Sequence, residues 1–133
     1  MAPALSDVFR VHRFIAGGFG MCLLFAPDAL SEAMAPGKQL PAEEKLTLQS
    51  WAAFILGVAY IVHSAPTFSP SAQRAVGQGL ALCMGIESLL YGHALLVSDR
   101  LADTAGDYRT GVAATGSVFF GLAVAYTWAL SKK

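Results

Sequence analysis

Charge is what this sequence has least of. Only 14 % of its residues are charged, against about a quarter in a soluble domain. The shortfall is concentrated in long apolar runs, and 55 % of the chain is hydrophobic. That combination excludes an ordinary soluble domain and points to the membrane. Net charge is zero, so nothing favours nucleic acid or an acidic partner. Cysteine is scarce as well. Cys22 and Cys83 sit inside apolar runs and form no C-x-x-C pair. Thiol redox chemistry and a cysteine metal site therefore lack support, and both residues are expected to be buried thiols. There is no H-E-x-x-H, no carboxylate cluster, no nucleotide loop and no G-x-S-x-G, which removes most enzyme classes. Met1 to Asp7 is too short for a signal peptide, and no Arg/Ser-rich transit peptide precedes the first apolar run. The expectation is a removed leader or a first helix acting as an uncleaved signal.

What is present is apolar sequence long enough to cross a bilayer. The 133 residues suffice for one domain, 1–133, with spans at about 8–26, 48–65, 75–97 and 110–130. A helix needs roughly 20 residues to span the hydrocarbon core. The first span opens with Arg10, His12 and Arg13 and ends at Pro27, with Ser6 as its expected N-cap. Its charge-free part is short, so both arginines must snorkel or find a partner inside. Asp28 to Met34 predicts one or two interfacial turns, with Leu30 and Met34 on one side, and Pro36-Gly37 a break. Pro41 suits the first turn of the second helix, where Glu43 and Glu44 favour the positive end of its dipole. Ser69-Pro70 is a start signal for the third helix. Asp99 to Asp107 is a polar loop. The fourth span carries no charge and ends in Tyr126, Trp128 and Lys132-Lys133, an aromatic anchor and a basic stop. Trp51, Tyr60, Tyr91 and Tyr108 also fall near span ends, as an interfacial belt would have them.

The expected fold is therefore all-α, a membrane bundle of four transmembrane helices. Four spans put both termini on one side. That side holds Arg10, Arg13, Arg74, Lys132 and Lys133, against Lys38, Lys45, Arg100 and Arg109 on the other. The excess of one basic residue places the termini in the cytosol, stroma or matrix. Small residues recur at i+4 on the fourth span: Ala113, Ser117, Gly121, Ala125 and Ala129. The third has Gly77, Ala81 and Gly85, and the first Gly17, Gly18 and Gly20. Such stripes let backbones approach in lipid and are expected to be the internal seams. The alternative is a groove for an external helix or a lipid-like cofactor.

Glu87 lies near the centre of the third span, where an ionised carboxylate costs roughly 2.5–3.5 kcal/mol. It must be neutral and hydrogen-bonded, paired with Arg13, or functional as a proton relay, substrate anchor or axial ligand. Arg13 lies within about a side-chain length of it in depth and is its expected partner. His12, His63 and His93 are scattered over three spans without i,i+4 metal spacing. A single histidine can still ligate a chlorophyll magnesium or a haem iron. The cofactor-ligand candidates are thus Glu87, His93, His63 and His12, with chlorophyll, carotenoid or lipid as the candidate cofactors.

The stretch R-x-x-R-F-I-A-G-G-F-G-M-C-L-L-F-A-P from Arg10 to Pro27, followed by W-A-A-F-I-L-G-V-A-Y from Trp51 to Tyr60, resembles small bacterial and organellar DoxX-like membrane proteins. The resemblance covers the first half of the chain. It implies four helices and, in some members, quinone-linked or respiratory association, and it carries over no catalytic residue. The dimensions also resemble supernumerary subunits of photosystems and mitochondrial complexes. The expectation is a non-catalytic accessory subunit of such a complex, in a thylakoid or mitochondrial inner membrane, whose partners are other membrane subunits and lipids. The competing expectation is a small membrane enzyme or carrier using Glu87 and a histidine on a quinone or other lipid-soluble substrate.

Overall fold

A computed structural model of the chain describes residues 3–34, 40–97 and 106–131. Five α-helices account for them: α1 (Leu5–Phe25), α2 (Pro27–Met34), α3 (Ala42–Ser64), α4 (Pro70–Val97) and α5 (Gly106–Leu130), with a 3₁₀ turn at Ala65–Thr67. No strand occurs among the described residues. All but α2 are long and apolar enough to cross a membrane. The chain is an all-α four-helix bundle of membrane-spanning type.

The boundaries follow local chemistry. Ala4 rather than Ser6 occupies the cap position of α1, in extended geometry and without a side-chain cap. Pro27 has no N–H to donate, so α1 stops at Phe25 and α2 restarts with Pro27 at its first position. Pro41 is extended and precedes α3 rather than sitting in its first turn. Ser69 behaves as expected: Ala72 N–H donates to its Oγ at 3.4 Å and Pro70 follows as the first helical residue. Gln73 Nε2 donates to the carbonyls of Pro66 and Phe68, which ties the turn before α4. The Pro36-Gly37 break, residues 98–105 of the polar loop and the Lys132-Lys133 pair lie outside the described residues, as do the side chains of Met34, Asp107 and Tyr108.

The helices pair as two antiparallel hairpins. In the first, Gln49 Nε2 at the start of α3 donates to the Leu24 carbonyl at the end of α1. In the second, α4 packs on α5, and the Tyr91 ring meets that of Phe119 at a tilt of 53° with ring centres 5.4 Å apart. The hairpins meet chiefly through α1 and α5, while α3 and α4 scarcely touch. The buried share of each apolar span shows the same order: 33 % for α1 and 22 % for α5, against 11 % for α3 and 6 % for α4. All four spans converge only at the end nearest the N-terminus. There Val8, Phe9, Val62, Ala65, Tyr126 and Ala129 form the core, backed by Leu5, Val76 and Leu80. At the other end α2 rests on α1, α3 and α5, and Lys45 Nζ pairs with Asp28 at 2.9 Å.

The expected fourth-span seam needs correction. Ala125 and Ala129 pack at the core, but Ser117 and Gly121 are exposed, and a Cβ on Gly121 would meet nothing within 4 Å. A strict four-residue step gains about 40° per repeat on a helix of 3.6 residues per turn, so the stripe winds off the interface. The contacts instead follow Val112, Gly116, Phe119, Leu122, Tyr126 and Ala129. A Cβ on Gly116 would lie 3.0 Å from Tyr91 Cβ. Likewise Gly20, not Gly17 or Gly18, is the close approach on α1, with Leu56 Cγ at 2.9 Å, and Gly77, not Gly85, is that on α4, with Leu5 Cδ1 at 3.0 Å.

Gly116→Leu should therefore destabilise the bundle by about 1–3 kcal/mol through overpacking. Gly121→Leu should change stability little. Unfolding of the two variants in mixed micelles checks the contrast, and equal behaviour would place the seam elsewhere.

Candidate functional site

The polar side chains that the fold brings together belong to one turn of α1. Residues 12 and 13 are adjacent in sequence and so about 100° apart around the helix. They consequently address different neighbours. His12 turns toward α5: its Nδ1 lies 2.8 Å from the Tyr126 hydroxyl, and the two rings meet edge-on with centres 5.7 Å apart. Phe9, one turn earlier, packs against the same tyrosine at 5.7 Å. Both partners are deep: His12 is 3 % exposed and Tyr126 0 %. Tyr126 is thus not a belt aromatic, whereas Trp51, Tyr60 and Trp128 are exposed as the belt predicts.

Arg13 turns toward α3, where its Nη1 donates to His63 Nδ1 at 3.1 Å. A guanidinium only donates. His63 must accept through an unprotonated Nδ1, so it is the neutral tautomer with its proton on Nε2. The guanidinium also stacks 4.6 Å from the Phe14 ring, and its buried Nε has no hydrogen-bond partner among the described residues. Nearby, Arg74 Nη2 donates to the Leu130 carbonyl at 3.0 Å, which satisfies an orphan acceptor at the end of α5. Arg10 and Asp7 form an exposed pair at 3.8 Å of little energetic weight.

The expected Arg13–Glu87 pair is not formed. The depths agree, because Leu5 of α1 sits against Gly77 of α4 and the two helices run parallel. The directions do not. Arg13 lies about 80° around α1 from Leu5, whereas His12 lies within about 20° of it. Arg13 is therefore spent on His63, and Glu87 is half-buried on α4 without a hydrogen bond or ion pair to another described residue. His93 is exposed near the far end of α4.

The four candidate ligands thus do not assemble into one site. His12 on α1 and His63 on α3 both use Nδ1 on protein partners; His12 keeps Nε2 for a pigment or haem metal, whereas His63, with its proton on Nε2, would have to give up the Arg13 bond to bind one. No group of three or more metal-ligating residues exists among the described residues. Cys22 and Cys83 are exposed rather than buried. A shallow hollow of about 440 Å³ lies between the start of α4 and the end of α5, lined by Leu5, Ser71, Arg74 and Leu130 among others, and none of the four candidates reaches it. The polar turn was missed in the sequence because Tyr126 sits where a belt residue would. Its neighbours Phe9 and His12 stand at i and i+3 on α1.

No family model, curated protein or solved structure matches the chain. Its architecture defines the class: an all-α integral membrane protein with four candidate spans, two central and two peripheral.

Tyr126→Phe keeps the ring between Phe9 and His12 and removes only the hydroxyl, at an expected cost of about 0.5–1.5 kcal/mol. Tyr126→Ala empties the core, at an expected cost of about 3–5 kcal/mol. Reversible unfolding in micelles measures both. Equal losses would mean that the ring does not fill the joint.

Proposed function

We propose that the chain is a non-catalytic accessory subunit that packs at the lipid-facing periphery of a larger bioenergetic membrane complex, a photosystem or respiratory assembly. The observation that carries this reading is the state of the two peripheral helices. α3 and α4 are barely buried within the chain, yet Gly57 and Gly79 stand exposed on them, and a Cβ at either position would meet nothing within 4 Å. Acyl chains cover apolar side chains and do not require glycine. A helix from another subunit does, since close backbone approach is what drives association in lipid. The DoxX-like resemblance supports the respiratory form, in a mitochondrial inner or related membrane, and the subunit-like dimensions support the thylakoid form equally. The excess of Lys and Arg on the side of the termini, five against four, supports a stromal, matrix or cytosolic position for them. Glu87, the Nε2 atoms of His93 and His12, and His63 once it gives up its Arg13 bond, are the groups to which chlorophyll or haem would bind, with carotenoid or lipid along the apolar faces.

Glu87 favours a second reading, a small enzyme or carrier for a quinone or another lipid-soluble substrate. A carboxyl in mid-span without a partner among the described residues is a functional group by default. Native electrophoresis in mild detergent separates the two. Co-migration with a large pigment- or haem-bearing complex is expected, and Gly57→Leu with Gly79→Leu should release the folded chain from it. A monomer that turns over a quinone on its own, and loses turnover on Glu87→Gln, would replace the accessory role.

A further inference from the structure

We propose that the hollow between the start of α4 and the end of α5 holds the headgroup of one anionic phospholipid, drawn from the leaflet on the side of the termini. The inference holds whichever assembly the chain joins. Depth is the first argument. α4 has 28 residues, which at 1.5 Å each make about 42 Å, against a hydrocarbon core of about 30 Å. The excess, shared between the two ends, leaves about four residues of α4 beyond the core at its start. Ser71, Gln73 and Arg74, which line the hollow, fall at that level. The exposed Trp128 of α5, just before Leu130, marks the same level as an interfacial aromatic. The hollow of about 440 Å³ therefore opens among phosphates rather than among acyl chains.

Its chemistry is the second argument. Leu5 and Leu130 give it apolar walls, Ser71, Gln73 and Arg74 a polar one, and no carboxylate among the described residues lines it. Arg74 is held there by the bond from its Nη2 to the Leu130 carbonyl at 3.0 Å. A carbonyl carries no net charge, so this bond positions the guanidinium without neutralising it. The planar guanidinium fork matches the geometry of a phosphate. Pro70 opens α4 beside it, so the positive end of that helix dipole adds to the field of the arginine. The wider surface agrees. On this side the sequence holds Arg10, Arg13, Arg74, Lys132 and Lys133 against Asp7, and Asp7 pairs with Arg10. Basic pockets between spans are where anionic headgroups bind. Leu5 belongs to the first hairpin and Arg74 to the second, so a headgroup seated here touches both. A ligand that binds only the folded bundle stabilises it by mass action.

Native mass spectrometry of the full chain tests the site, with phosphatidylglycerol or phosphatidylcholine as the probe. One phosphatidylglycerol should be retained under conditions that strip phosphatidylcholine. Arg74→Gln should weaken its retention by about tenfold, the effect of one charge-assisted hydrogen bond. Arg10 lies about 140° around α1 from Leu5 and outside the hollow, so Arg10→Gln should change retention little. Ser71→Phe keeps every charge and crowds the hollow, and it should also lose the lipid. That variant decides the matter if Arg74→Gln does not fold. Millimolar inorganic phosphate should not displace the lipid, because the apolar walls hold only a headgroup with its glycerol. Equal retention of the two lipids, equal losses in the two arginine variants, full retention in Ser71→Phe or displacement by inorganic phosphate would each overturn the proposal.

Discussion

Tyr126 joins two hairpins that otherwise have little hold on each other. Its ring fills the space between Phe9 and His12, and its hydroxyl meets the only buried polar side chain of the core among the described residues. In water such a joint would be one contribution among many. In a bilayer the hydrophobic effect does not hold helices together, because acyl chains solvate leucine as well as another leucine does. Association then rests on close packing and on a few hydrogen bonds. This explains why the core cluster that draws on all four spans lies at one end. Where a large aromatic, a histidine and small residues coincide, four helices converge. Elsewhere α3 and α4 are left to the lipid.

The same logic sorts the glycines. Gly20, Gly77 and Gly116 each receive a side chain from a neighbouring helix, at distances a Cβ would make too short. They set the separation within and between the hairpins. Gly18, Gly57, Gly79 and Gly121 receive none and are exposed. Glycine in a helix interior costs about 0.5–1 kcal/mol relative to alanine, so a glycine without an internal neighbour is unexplained by the isolated chain. A partner that approaches the backbone closely is a physical account of it, and the accessory reading rests on this.

Much of the architecture was legible in the sequence, since span length and apolar composition are one-dimensional properties. The four spans, the Ser69-Pro70 start and the break at Pro27 all follow from it. The candidate site was less legible because it depends on azimuth. A four-residue spacing on α5 looked like a seam, yet its 40° drift carried Ser117 and Gly121 to the outside. Depth alone made Arg13 a partner for Glu87, yet 100° of rotation between His12 and Arg13 sent them to different helices. Periodicity says that a face exists. It does not say which neighbour the face meets, because that depends on contacts far apart in the chain, such as His12 with Tyr126.

Arg13 shows how the membrane constrains chemistry at this end. A guanidinium in the second turn of a span faces a penalty unless its donors are met or it reaches the headgroups. His63 meets it without supplying a negative charge, so the pair remains cationic overall. A carboxylate in that place would neutralise the charge. Histidine only accepts the hydrogen bond. The nearest acid on the adjoining helix, Glu87, shares the depth but lies off the line of Arg13. The contact between α1 and α3 at this depth thereby rests on a lone pair rather than on an opposite charge.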